Sequence, residues 1–182
     1  MFVSTAYGVT AAPSPSSSVG ALALAISRVS SSAKPTLMEA THLAEAFMSA
    51  VRHPKTPHDV DSWFLAALAW TESGFRPDAV EGDGGVLGRG RGPGFGLFQH
   101  HGAYSSKPCA LDPDCAAKEE VLKAARWVSW HIGHCEGKLK PHDWVAHRFA
   151  GNYAESNERA ITSAAKVRER RATLWESVYT VD

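Results

Sequence analysis

The chain has 182 residues, 44% of them hydrophobic and 21% charged, which fits one globular domain able to bury a core without staples. Lys plus Arg and Asp plus Glu each number 19, so the net charge is zero. That balance argues against a protein built mainly for nucleic acid or an anionic membrane, though it leaves room for a local basic patch. No apolar run reaches the length of a transmembrane span, so stable membrane insertion is not expected.

Residues 1–34 are rich in Ser, Ala and Pro and read as a flexible N-terminal arm with little to bury. Val19 to Ile26 is apolar, but Met1 to Ser18 holds no Lys or Arg, so no clear secretory signal is expected. Within this arm, Ala21 to Val29 has the composition either for a short helix or for a segment that leads into a membrane.

The folded part begins at Pro35 and is expected to run to residue 182. Leu37, Ala40, Ala44, Met48 and Val51 recur at helical spacing, and Pro54 and Pro57 end the run. Asp59 or a near neighbour caps the next helix, with the stripe Val60, Trp63, Phe64, Ala67, Leu68 and Thr71. Extending Phe64 and Leu68 by four places Glu72 on the same face. That carboxylate is therefore expected at the core or a cleft wall. Burial disfavours the charged form of a carboxyl group, which suits a general acid. The plainer alternative is a solvated Glu at a frayed helix end.

Nine glycines fall between residues 81 and 102, a density no helix survives. Tight turns, a β-hairpin or a mobile loop fit instead. Arg89 and Arg91 either solvate this loop or meet an anionic ligand. Asp112-Pro113 opens a long amphipathic helix with the stripe Ala117, Val121, Ala125, Val128 and Ile132, expected to end at Gly133. A short helix carries Trp144, Val145, Arg148 and Phe149, and Gly151-Asn152 breaks it. The last helix begins near Ser156 and uses Ala160, Ala164, Val167, Leu174 and Val178. Its Lys166, Arg168, Arg170 and Arg171 read as a solvated face, or else as a contact for anionic polymer. The fold class is mainly α (α+β), with no strand–helix alternation to build a parallel sheet.

Three cysteines allow at most one pair within the chain. A Cys109–Cys115 disulfide and three unpaired thiols both stay open. His131-x-x-His134-Cys135 is not a standard zinc spacing, so no metal and no cofactor is expected. These histidines read as helix-end groups facing solvent. No Gly-x-Ser-x-Gly nucleophile motif occurs.

Glu72-Ser73-Gly74-Phe75-Arg76-Pro77-Asp78-Ala79-Val80 resembles the E-S-x-F-x-P-x-A-V segment of lytic transglycosylases and goose-type lysozymes. Gly82-Asp83-Gly84-Gly85 followed by Gly94-Phe95-Gly96-Leu97-Phe98-Gln99 is similar to the G-D-G-G … G-L-F-Q version of phage-encoded members. The resemblance covers about residues 36–180. It implies a lysozyme-like helical domain with a small Gly-rich β-hairpin region beside a catalytic cleft. It implies action on the β-1,4 link between N-acetylmuramic acid and N-acetylglucosamine, with Glu72 as acid and then base. It implies a substrate site in which Ser73 contacts Glu72 or the glycan, Gln99 bonds the acetamido group or Glu72, Phe98 lines the cleft floor and Phe149 takes part in substrate binding. The implied partner is the peptidoglycan strand, met by a monomer at the bacterial cell wall, whether in the periplasm, outside the cell or from a phage virion. Two departures stand out. Val86 to Pro93 looks like an insertion, and Phe149-Ala150 stands where relatives carry a Tyr-Asn pair. The alternatives are a lysozyme-like wall-binding or structural protein of weak or no catalysis, and a goose-type hydrolase in which Asp83 positions the water.

Overall fold

A computed structural model describes residues 18–29, 34–76, 80–81, 94–101, 119–136, 143–150 and 156–179. The molecule is mostly helical. In chain order the elements are α1 (Val19–Arg28), α2 (Leu37–Val51), α3 (Ser62–Ser73), β1 (Val80–Glu81), β2 (Gly94–Phe95), β3 (His100–His101), α4 (Val121–Glu136), α5 (Trp144–Ala150) and α6 (Glu158–Tyr179). The strands pair antiparallel in the order β1-β2-β3, with Val80 opposite Phe95 and Phe95 opposite His100. Residues 82–93, which hold most of the Gly-rich stretch, lie outside the described residues, as do Cys109, Cys115 and Asp112-Pro113.

Within the expected arm over 1–34, Val19–Arg28 forms α1, while residues 1–17 and 30–33 lie outside the described residues. The Ser18 side chain caps this helix, accepting from the Ala21 N–H at 3.1 Å. Leu22, Ala23, Ala25 and Ile26 are fully buried, and the helix packs on α2 and α6. Arg28 Nη1 donates to the Ser177 carbonyl at 2.7 Å, tying the first helix to the last. The short helix expected at Ala21 to Val29 is thus present, and what its Ser-rich surroundings do not indicate is its burial in the core.

α2 starts in a capping box. Thr36 Oγ1 accepts from the Glu39 N–H, and Glu39 Oε2 accepts from the Thr36 N–H at 2.8 Å. α3 is the centre of the core. Every residue from Ser62 to Ala69 is buried, so this helix is covered on all sides rather than along one stripe. Asp61, not Asp59, caps it, accepting from the Trp63 N–H at 3.0 Å. Gly74 ends it in the left-handed region at φ 65°, with its N–H on the Trp70 carbonyl. Phe75 follows at φ 66°, a costly backbone for a large side chain, and its ring is buried.

The long helix α6 holds both ends of α3 and the start of α5. Arg171 pairs with the α3 cap Asp61, and Arg170 donates to the Trp70 carbonyl while lying 4.7 Å over the Trp70 ring. Arg168 pairs at 2.6 Å with Asp143, which also accepts from the Val145 and Ala146 N–H groups at the start of α5. Burial alone would raise the Asp143 carboxyl. The bond and charge of Arg168, with those two N–H groups, outweigh it and hold the carboxyl below its usual range. Three of the four basic residues expected to be solvated on this helix therefore serve as clasps.

If α1 is part of the core, Leu22→Ala should cost about 2–5 kcal/mol in a urea denaturation experiment. A flexible arm would show no change.

Candidate active site

Glu72 stands in the last turn of α3, one residue before Ser73 and the Gly74 cap. Its side chain is 19% exposed. Arg148, on α5 and 9% exposed, donates from Nη1 to Glu72 Oε1 at 2.8 Å. The Arg148 guanidinium also lies 4.9 Å over the Phe149 ring. A carboxylate this enclosed needs a counter-charge, and breaking such a pair by removing one partner costs about 3–5 kcal/mol. The pair joins two helices that α6 has already fixed, so its geometry is set from both sides. Because α3 is buried all round, the half-burial of Glu72 comes from its place at the helix end, not from membership of one apolar face.

The other expected site residues are placed differently from one another. Ser73 is buried, and its Oγ donates back to the Ala69 carbonyl at 3.1 Å. Phe98 is buried edge-on to Phe47, with ring centroids 6.3 Å apart. Gln99 is buried at φ 47°, and its Nε2 donates to the Gly96 carbonyl at 2.7 Å. Phe149 is half-buried against the core beside Arg148. The structure thus joins Glu72 with Arg148, which lies over Phe149, while the Ser73 hydroxyl bonds within its own helix, the Phe98 ring packs on Phe47 and the Gln99 amide donates to the Gly96 carbonyl.

Glu120 was not anticipated. It is buried, and its Oε1 accepts from the Phe98 N–H at 2.9 Å and its carboxylate also from the Leu97 N–H. Gly96, at φ 77°, makes room for it: a Cβ there would lie 2.3 Å from Glu120 Oε2. The Gly-Leu-Phe-Gln turn is therefore folded around a carboxyl group. Burial is the dominant effect and pushes that carboxyl up to about 7, against the pull of the Phe98 and Leu97 N–H groups and the Lys123 charge. The logic that singled out Glu72 also finds this residue, since Glu120 extends the Ala124–Val128 row back by four. Arg148 had a signal as well, a cation within the short run of Trp144, Val145 and Phe149.

His131 is corrected from a solvated helix-end group to a buried one. α4 continues past Gly133 to Glu136, and His131 Nδ1 lies 2.9 Å from His147 Nδ1. Burial, then the charges of His147, Arg148 and His134, press the His131 imidazole down to about 4, so it is neutral at pH 7. Among the described residues no group of three or more His, Cys, Asp or Glu side chains is arranged to hold a metal ion. Nor is any described helix long and apolar enough to cross a membrane.

The Glu120 carboxyl gives a signed pH prediction. In the unfolded chain it ionises near 4.5, and in the folded protein near 7, so the folded state binds the extra proton between those values. Stability should fall as pH rises from 4.5 to 7, by on the order of 3 kcal/mol, and then level off. Glu120→Gln should remove this component of the pH dependence in thermal melts. A slope unchanged by the substitution would contradict the assignment. No protein-family model matches this chain, and no curated protein or solved structure matches it.

Proposed function

We propose that this protein cleaves peptidoglycan glycan strands at the β-1,4 bond between N-acetylmuramic acid and N-acetylglucosamine, with Glu72 as acid and then base. The observation that carries the reading is Glu72 itself, a half-buried carboxylate at the end of a wholly buried helix, gripped by Arg148. The motif order from Glu72 to Gln99 adds the resemblance to lytic transglycosylases. A lysozyme-like cleft with the Gly-rich hairpin beside it belongs to the same proposal.

The chemistry runs in two steps. Glu72 protonates the bridging oxygen as the glycosidic bond breaks, and the developing oxocarbenium is met by the acetamido group of the substrate. Glu72, now a carboxylate, then accepts the proton of the muramic 6-hydroxyl, which attacks C1 and closes a 1,6-anhydro ring. In the pair as it stands Arg148 takes Oε1, so a proton passing to or from the carboxylate uses the other oxygen or displaces the guanidinium. Where it is displaced, a lactyl carboxylate on the bound sugar offers the guanidinium another partner. Phe149 supplies an apolar surface next to this exchange.

A second reading is a wall-binding protein that cuts weakly or not at all. The same ion pair favours it, since Arg148 occupies one oxygen of the only acid proposed. The buried contacts of Ser73, Phe98 and Gln99 point the same way. A zymogram on purified cell wall separates the two. The enzyme reading predicts clearing by the wild type and loss of at least about 100-fold in rate for Glu72→Gln, the scale of a general acid–base contribution. Gln retains an acceptor for Arg148 but not the counter-charge, so circular dichroism at the assay temperature verifies that the variant is folded, and Glu72→Asp, which keeps the charge but shortens the side chain, is assayed beside it. Sacculus pull-down without clearing would support the binding protein instead.

A further inference from the structure

We propose that the outer face of α4 carries a second binding site, for a glycan strand that bears carboxylates. A groove of about 830 Å³ lies between α4 and the loop after α2, lined among others by Lys55, Lys123, Arg126, Trp127, Trp130 and His134. Its two walls are joined by design of the chain. The His58 N–H donates to Ser129 Oγ at 3.1 Å, and Gly133 lets the His58 ring approach, since a Cβ there would lie 2.3 Å from His58 Nε2.

Two properties of the lining define the ligand. Trp127 and Trp130 are 40% and 53% exposed, whereas Trp63 is 1% exposed. Trp130 is held flat by stacking on His134, with centroids 4.8 Å apart and planes within 15°. A fixed, open indole offers an apolar face to a flat ring such as a pyranose. The second property is charge. Lys55, Lys123 and Arg126 line the groove, and no Asp or Glu does so among the described residues. Acids stand close by and offset part of that charge: Glu136 faces the groove residue His58 at 3.8 Å, Glu120 acts on Lys123 from the core, and Glu119 lines the adjacent hollow with Lys123 and Arg126. Stacking and cations together fit a polymer with rings and negative groups. Single-stranded nucleic acid answers to that description as well. The zero net charge of the chain disfavours it, and the choice of glycan rests on the wall reading above.

The test uses the full chain carrying Glu72→Gln, so that turnover plays no part. Hyaluronan hexasaccharide is the probe, because it alternates N-acetylglucosamine with a carboxylated sugar and lacks muramic acid. Tryptophan fluorescence titration should show saturable binding that weakens with added salt. Trp130→Ala and Arg126→Glu, both at exposed positions, should each weaken it by about tenfold or more, and chitohexaose, which has no carboxylate, should bind at least about tenfold less well. Melting curves verify that each variant is folded, and either variant alone decides the result. No saturable binding, equal binding of chitohexaose, tighter binding of a thymidine hexanucleotide, or variants that bind like the parent would each overturn the proposal. Wall clearing by the wild type is read separately, so failure of the groove and failure of the catalytic reading are distinguishable.

Discussion

The arrangement depends on the pairing of one buried helix with one buried cation. α3 is surrounded on every side along its first two turns, so its direction and depth are fixed by packing. A carboxylate at the end of such a helix loses much of its hydration. It stays only if something replaces the water, and Arg148 does so at 2.8 Å. Arg148 in turn is more enclosed than Glu72, so each charge requires the other. The remaining architecture makes the meeting reproducible. α6 grips α3 at Asp61 and at the Trp70 carbonyl, and grips the start of α5 at Asp143.

The clasps are individually small. Arg168 and Arg171 are half-exposed, and pairs of that kind contribute about 0.2–1 kcal/mol each. Their effect is one of position rather than total stability. Each acts on a helix end, where unpaired backbone groups and capping carboxylates already set the axis. A second buried carboxyl, Glu120, organises the Gly-Leu-Phe-Gln turn in a comparable way, by taking up two backbone N–H groups that the turn leaves over. The two acids differ in what balances them: a guanidinium bonded directly to Glu72, and two backbone N–H groups with the charge of Lys123 for Glu120.

Much of the helical skeleton was legible in the sequence, and the reasons are local. Leu37 to Val51 follows from its spacing and its prolines, and the stripe Ala160, Ala164, Val167 and Leu174 is buried as that spacing implies. α1 was legible as a short helix, but its place in the core was not, because that depends on tertiary contact with α2 and α6. The roles of Arg168, Arg170 and Arg171 were obscured for a related reason: whether a basic residue is solvated or clasped depends on what lies across from it, which spacing on one helix does not contain. The same holds for the site. Glu72 was visible as a carboxylate extending an apolar row, but its partner lies 76 positions away. The Ser73 hydroxyl, implied by the resemblance to contact the glycan, bonds to the Ala69 carbonyl of its own helix, a local contact that a motif match does not reveal.

The central claim is that Glu72, held by Arg148, serves as both acid and base on a glycan strand. Mass spectrometry of the fragments released from purified sacculi tests it most directly. The account predicts muropeptides ending in 1,6-anhydro-N-acetylmuramic acid. Fragments with reducing ends, heavier by one water, or sacculi that release nothing, would contradict it.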